Sequence, residues 1–312
     1  MKIVIALGGN ALGNNPAEQK ELVKVPAEKA ASLAKDGHQV IIGHGNGPQV
    51  GMIFNAFADA KKVNPKTPNV PFAEAGGMSQ GYIGYHMLAA VQSALNKHGV
   101  EKDVVYYETL THVDAKDPAF ENPTKPVGPF YTTKEEAEQA NPGAKVVEDA
   151  GRGYRVVVPS PKPLNILGIK TIKHMIDHGA AIAIVGGGGG IPVVEKDGEI
   201  IGLDGVIDKD LTCAKIAELT DADVFVILTA VDYVYVNWGK PDQKALKEAT
   251  VSEMAEYIKQ NQFAPGSMLP KVQAAMEFVK GKPGKKAIIA DLNQIEKALK
   301  GEIGTAIVAD KE

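Results

Sequence analysis

Three short glycine clusters carry the first chemical signal in this sequence: Gly8-Gly9-Asn10, the stretch from Gly43 through Gly45, Asn46 and Gly47, and the run Gly186 to Gly190, which opens with Gly186 and Gly187. Each follows an apolar run, at residues 3–7, 40–42 and 181–185. Glycine has no Cβ, so backbone N–H groups can wrap phosphate oxygens, and a helix starting just beyond adds its free donors and its dipole. For any one cluster the alternative is a tight strand-to-helix turn with no ligand. Three clusters in equivalent positions point to phosphate binding. The sequence contains no G-x-x-x-x-G-K-[ST] loop, and no strand is followed by G-x-G-x-x-G in the required context.

Phosphate chemistry without that loop still needs cations, because phosphoryl transfer is mostly positioning and charge stabilisation. Lys209, directly before a helical stretch, and Lys271, in the first turn of another, are the leading candidates. Cations ordinarily favour the opposite helix end, so both placements are electrostatically unusual for structural lysines. Lys125 lies between Thr124 and Pro126, in a segment whose prolines restrict its backbone. Asp208 and Asp210 can orient lysines or hold magnesium, and for Asp208 plain helix capping competes with either role. His174 and His178 are four apart, but Met175-Ile176-Asp177 lacks the glutamate of a zinc-protease motif, which leaves a solvated helix face.

The elements that must position these groups are legible as period and punctuation. Residues 3–7, 40–42, 104–106, 181–185, 224–228 and 287–289 read as buried strands, and helical segments alternate with them. That alternation predicts an α/β fold with a mainly parallel sheet between helices, whose strand ends carry the ligand loops. Val50, Ile53, Phe54 and Phe57 follow helical spacing after Pro48, and Val272, Ala275, Met276 and Val279 repeat it. Ser267 is expected to cap the latter helix and Thr250 with Glu253 to form a capping box. Gly99 and Gly179 fall just past helices, and Pro26 is expected to kink or end a helix begun near Glu18. Residues 114–160 are rich in proline, glycine and charge and predict an insertion or lid.

The chain has 312 residues, 44% hydrophobic and 23% charged, with formal net charge −4, which is globular and argues against a nucleic-acid binder. Cys213 is the single cysteine, so an intrachain disulfide is excluded and a small buried helical residue is expected. The N-terminal apolar stretch is too short for a signal peptide, and the stretch at 224–228 is too short to span a bilayer; a cytoplasmic protein without membrane contact is the expectation.

The sequence resembles the carbamate kinases of the amino-acid-kinase family. The resemblance rests on residues 6–11, 44–51, 78–81, 122–130, 148–153, 158–161, 207–210 and 266–271, and it runs nearly the length of the chain. It implies an open, mainly parallel α/β sandwich forming one amino-acid-kinase-type domain, 1–312. Within it, residues 1–200 would bind the acceptor and carry a protruding subdomain at 114–160, and residues 201–312 would bind the nucleotide. Carried over, Gly8, Gly9 and Asn10 would face the transferring group, and Gly45, Asn46 and Gly47 the acceptor. Gly186 and Gly187 would add phosphate contacts. Lys209 and Lys271 would stabilise phosphate charge, Asp210 would hold those lysines, and Lys125 would reach the carbamate side. Asp208, Lys209, Met268 and Lys271 would contact the nucleotide.

The implied reaction exchanges a phosphoryl group between ATP and carbamate, giving ADP and carbamoyl phosphate. Magnesium would be held by the nucleotide phosphates, with Asp210 a candidate protein contact. The resemblance also implies a homodimer working in arginine breakdown. Related kinases of acetylglutamate, aspartate or glutamate usually carry K-x-G-G in the first strand, and here that lysine position is Ala6. The departures are a short segment after Asn10, the five-glycine run, and Tyr154 where a tryptophan is usual. Another kinase of the family and a catalytically silent nucleotide sensor remain the competing readings.

Overall fold

A computed structural model of the chain describes residues 1–9, 12–141, 143–149 and 151–311. Among these residues an eight-stranded sheet forms the centre, in the order Glu248–Thr250, Thr305–Val308, Lys286–Asp291, Val224–Thr229, Lys2–Leu7, Gln39–His44, Ala181–Ile184, Asp103–Tyr106. All neighbours pair in parallel except Lys286–Asp291 with Thr305–Val308, which are antiparallel. The six strands expected from the sequence all lie in this sheet. The two that were not expected, Glu248–Thr250 and Thr305–Val308, stand at one edge and are three and four residues long.

Every residue of Lys2–Leu7 is buried, because both faces of the sheet are covered. Successive side chains point to opposite faces, and they feed two separate cores. Val4, Ala6, Ile41, Ala183, Phe225 and Ile227 join one cluster with residues of helices Ile169–Asp177, Lys209–Leu219 and Met268–Val279. Ile3, Ile5, Leu7, Ile42, Ile184 and Val226 join the other with helices Lys24–Lys35 and Phe72–His98.

Local signals act largely as the residue types dictate. Thr250 and Glu253 form the full capping box, and Gly99 takes the left-handed conformation (φ 66°) at the end of its helix. Pro26 opens a helix rather than kinking one: the break lies at Val23, between Pro16–Leu22 and Lys24–Lys35, and Pro26 sits in the first turn, where its missing N–H costs nothing. Ser267 occupies the cap position of Met268–Val279, but its side chain makes no capping hydrogen bond.

Residues 125–158 leave the main sheet and build a separate three-stranded one, Lys125–Tyr131, Tyr154–Val158 and Val146–Glu148, with helix Lys134–Ala140 beside it. Val127, Val156 and Val158 from this sheet share a small apolar cluster with Val50, Phe54 and Phe72 of the body. That pad seats the lid against helix Gln49–Val63.

The five-glycine run is a packing device. A Cβ at Gly189 would collide with the carbonyl of Ile207 and one at Gly190 with the hydroxyl of Thr111, and both residues have positive φ (88° and 82°). Gly189→Ala is therefore expected to destabilise the protein by about 2–5 kcal/mol, combining backbone strain with overpacking, measured as a shifted urea midpoint at unchanged m.

Candidate active site

The carboxyl ends of the central strands open into a cleft of about 960 Å³. Gly8 and Gly9 follow strand Lys2–Leu7, and Gly45, Asn46 and Gly47 follow strand Gln39–His44; all five line the cleft. Lys125 enters from the lid. Asp208, Lys209 and Asp210 enter from the start of helix Lys209–Leu219, and Lys271 from the first turn of Met268–Val279. Residues far apart in sequence thus meet around one space, as expected at strand ends in a parallel sheet.

The charged groups are arranged around two aspartates. Asp210 is 3% exposed, and its carboxylate oxygens accept separately from Lys209 Nζ at 2.5 Å and Lys271 Nζ at 2.9 Å. Asp208 Oδ1 accepts from the Asp210 N–H and caps the helix, while Oδ2 accepts from Lys125 Nζ at 2.9 Å. Capping and lysine orientation, which competed at Asp208, are both performed by it. The cluster of three lysines and two aspartates carries one net positive charge, so it attracts anions although the protein as a whole is acidic.

The proton affinities follow this geometry. Burial disfavours ionised Asp208, but the charges of Lys125 and Lys209 outweigh it and hold the carboxyl down at about 2. Burial likewise opposes ionised Lys209, and Asp210 with Asp208 more than compensates, raising its affinity for the proton. Lys271 goes the other way: burial, reinforced by the charge of Lys209, lowers it below the ordinary lysine value despite Asp210.

Several expected contacts are not made at the cleft. Gly186 and Gly187 are buried outside its lining, and the Gly186 N–H is already spent on Thr109 Oγ1 at 2.8 Å. Gly187 instead admits the imidazole of His44 (2.9 Å from an added Cβ). Of the run only Gly188 reaches the cleft, packed on the side chain of Asn46. Met268 is half-buried against the core rather than on the cleft wall. Asn10 lies outside the described residues. Both oxygens of Asp210 accept from lysines, so the carboxylate expected to touch magnesium is engaged in holding Lys209 and Lys271. His174 and His178 stack at 4.1 Å, and no cluster able to hold a metal occurs among the described residues.

Other lining residues were not singled out from sequence. Phe130, Arg152 and Arg155 line the lid side, with the guanidinium groups 5.0 and 4.7 Å from the ring centroid. Arg155 also donates to Gly128 O and pairs with Asp149 at 3.1 Å, which fixes the lid's inner face. Their trace in the sequence is the Gly151-Arg152-Gly153-Tyr154-Arg155 run inside the lid segment.

This fold and cleft match known proteins along nearly their whole length. Residues 1–291 match the amino acid kinase family. A carbamate kinase-like protein of Mycoplasma pneumoniae is 57% identical, covering 98% of this chain and 99% of its own. The carbamate kinase of Staphylococcus haemolyticus is 51% identical over 98% and 99%. The solved carbamate kinase from Giardia lamblia bound to AMP-PNP superposes with TM-score 0.89 at 42% identity, covering 99% of this chain and 98% of that one. The chain belongs to the amino acid kinase family.

Two outcomes test the electrostatics. Because Lys271 binds its proton less tightly than usual, kcat/KM should be full at neutral pH and fall as pH rises through a pKa below that of an ordinary lysine; Lys271→Arg, which stays charged, should move that alkaline limb upward. Asp210→Asn leaves two buried ammonium groups without their counter-charge and should cost about 3–5 kcal/mol of stability, read by denaturant unfolding.

Proposed function

We propose that this chain is a carbamate kinase, a phosphotransferase that moves a phosphoryl group reversibly between ATP and carbamate. The observation that carries this reading is full-length identity of about half to carbamate kinases, joined to a cleft that brings Lys125, Lys209 and Lys271 around the glycine loops. Ala6 supports it further, since that position carries the K-x-G-G lysine in the acetylglutamate, aspartate and glutamate kinases.

In the forward direction a carbamate oxygen attacks the γ-phosphorus of magnesium ATP. A new O–P bond forms, the bond from phosphorus to the β–γ bridging oxygen breaks, and that oxygen leaves on ADP with the electron pair. Charge builds on the bridging and equatorial oxygens, where Lys209 and Lys271 would stabilise it from positions fixed by Asp210. Gly8 and Gly9, with Asn10, would face the transferring group, and Gly45, Asn46 and Gly47 would hold the acceptor. Lys125 would leave Asp208 to meet the acceptor's charge, closing the lid and excluding water.

Residues 201–312 serve as the nucleotide half and 1–200 as the acceptor half in this scheme. In the cell the direction would be ATP synthesis from carbamoyl phosphate during arginine breakdown, by a cytoplasmic homodimer. The absence of any helix long and apolar enough to cross a membrane, among the described residues, is compatible with that location.

Purified protein given carbamoyl phosphate and magnesium ADP should make ATP in a coupled assay. Faster turnover with acetylglutamate, aspartate, glutamate or UMP would reassign the acceptor, and nucleotide binding by calorimetry without any turnover would identify a sensor. Lys209→Ala and Lys271→Ala should each lower kcat by about 10²-fold or more, whereas Lys125→Ala should act mainly on KM for carbamoyl phosphate.

A further inference from the structure

Gln49 is the first residue of helix Gln49–Val63, directly after the acceptor-side loop, and it is 1% exposed. Its Nε2 donates both protons across the molecule, to Leu12 O at 3.1 Å and Gly13 O at 2.9 Å. Both partners are carbonyl oxygens, which only accept, so the amide nitrogen must be the end that faces them. The other end, Oε1, is buried and has no partner among the described residues. A polar group left half satisfied in a dry site is costly, and a side chain chosen for packing alone would be apolar.

The two carbonyls belong to the segment that opens with Gly8 and Gly9. Leu12 N–H donates to Gly9 O at 2.9 Å, so a pull on residue 12 is transmitted to the glycine turn. The two loops are in close contact there: a Cβ on Gly9 would stand 3.5 Å from Gly47 O. Where the two strands end, the Gly45 N–H donates to Leu7 O at 3.2 Å; beyond that point, among the described residues, the two bonds from Gln49 are the hydrogen bonds that join residues 8–13 to residues 46–49.

We infer that Gln49 is a positioning residue that sets the spacing between the donor-side glycine loop and the acceptor-side loop of the cleft. This rests on the carbamate kinase reading, in which the two loops hold the two reactants. It touches neither reactant. Its effect falls on the distance between attacking oxygen and phosphorus, to which transfer is acutely sensitive, and not on nucleotide affinity, which the lysines across the cleft govern.

The experiment compares wild type with Gln49→Met and Gln49→Glu. Gln49→Met keeps the length and removes both donors: kcat should fall by about 10²-fold while KM for magnesium ADP changes by less than about twofold. Hydrogen exchange should quicken by about tenfold at residues 8–13, Leu12 above all, with the core strands unchanged. Gln49→Glu presents a carboxylate to two carbonyl oxygens and regains one donor only when protonated, so its activity relative to wild type should rise as pH falls from 8 to 6. A drop in melting temperature with unchanged kcat and unchanged loop exchange would overturn the inference, as would a flat activity ratio for Gln49→Glu. If wild type itself makes no ATP, the carbamate kinase reading fails, and loop exchange in Gln49→Met alone then decides the role of Gln49.

Discussion

The site depends on one carboxylate shared by two ammonium groups. Asp210 is buried, where an unpaired carboxylate is costly, and Lys209 and Lys271 stand at helix N-terminal turns where the dipole repels them. Each makes the other's position tenable. The arrangement also joins two helices, Lys209–Leu219 and Met268–Val279, that pack on the same face of the sheet and whose starts flank the cleft. Both lysines are thereby aimed before any phosphate arrives, which is the preorganisation that charge-stabilising catalysis requires.

The sheet supplies the rest of that preorganisation. Because strands Lys2–Leu7, Gln39–His44 and Val224–Thr229 are neighbours running the same way, their carboxyl ends deliver Gly8, Gly45 and Thr229 to one place. The antiparallel strand Thr305–Val308 lies toward the far edge, away from the cleft lining. The main sheet thus contributes to the cleft through its parallel strands, and the lid adds the rest.

Much of this was visible in the residues, for definite reasons. Six strands were legible because double-sided burial makes them continuous apolar runs, and Lys209 and Lys271 drew notice because cations at helix starts are anomalous. Glu248–Thr250 and Thr305–Val308 escaped because, near the sheet edge, burial alternates along them and neither is a continuous apolar run. The run at Gly186 misled more instructively. Glycine admits a phosphate or a neighbouring chain equally well, and only tertiary structure reveals that His44, Asn46, Ile207 and Thr111 fill the space. Gln49 lay inside the 44–51 stretch but was given no role, since a glutamine at a helix start looks like a solvated one until its two acceptors are located.

The bond between Lys125 and Asp208 has a consequence for the idle protein. It fastens the lid to the start of helix Lys209–Leu219 with the same ammonium group proposed to meet the substrate, so the protein carries its own stand-in anion. A lone chloride or inorganic phosphate must displace an internal carboxylate to gain that contact, and a small anion has little to offer in exchange. A polyphosphate and a carboxylated acceptor arriving together bring enough charge to make the exchange favourable. In the carbamate kinase reading, Lys125 is thus held by an internal carboxylate until substrate takes that place.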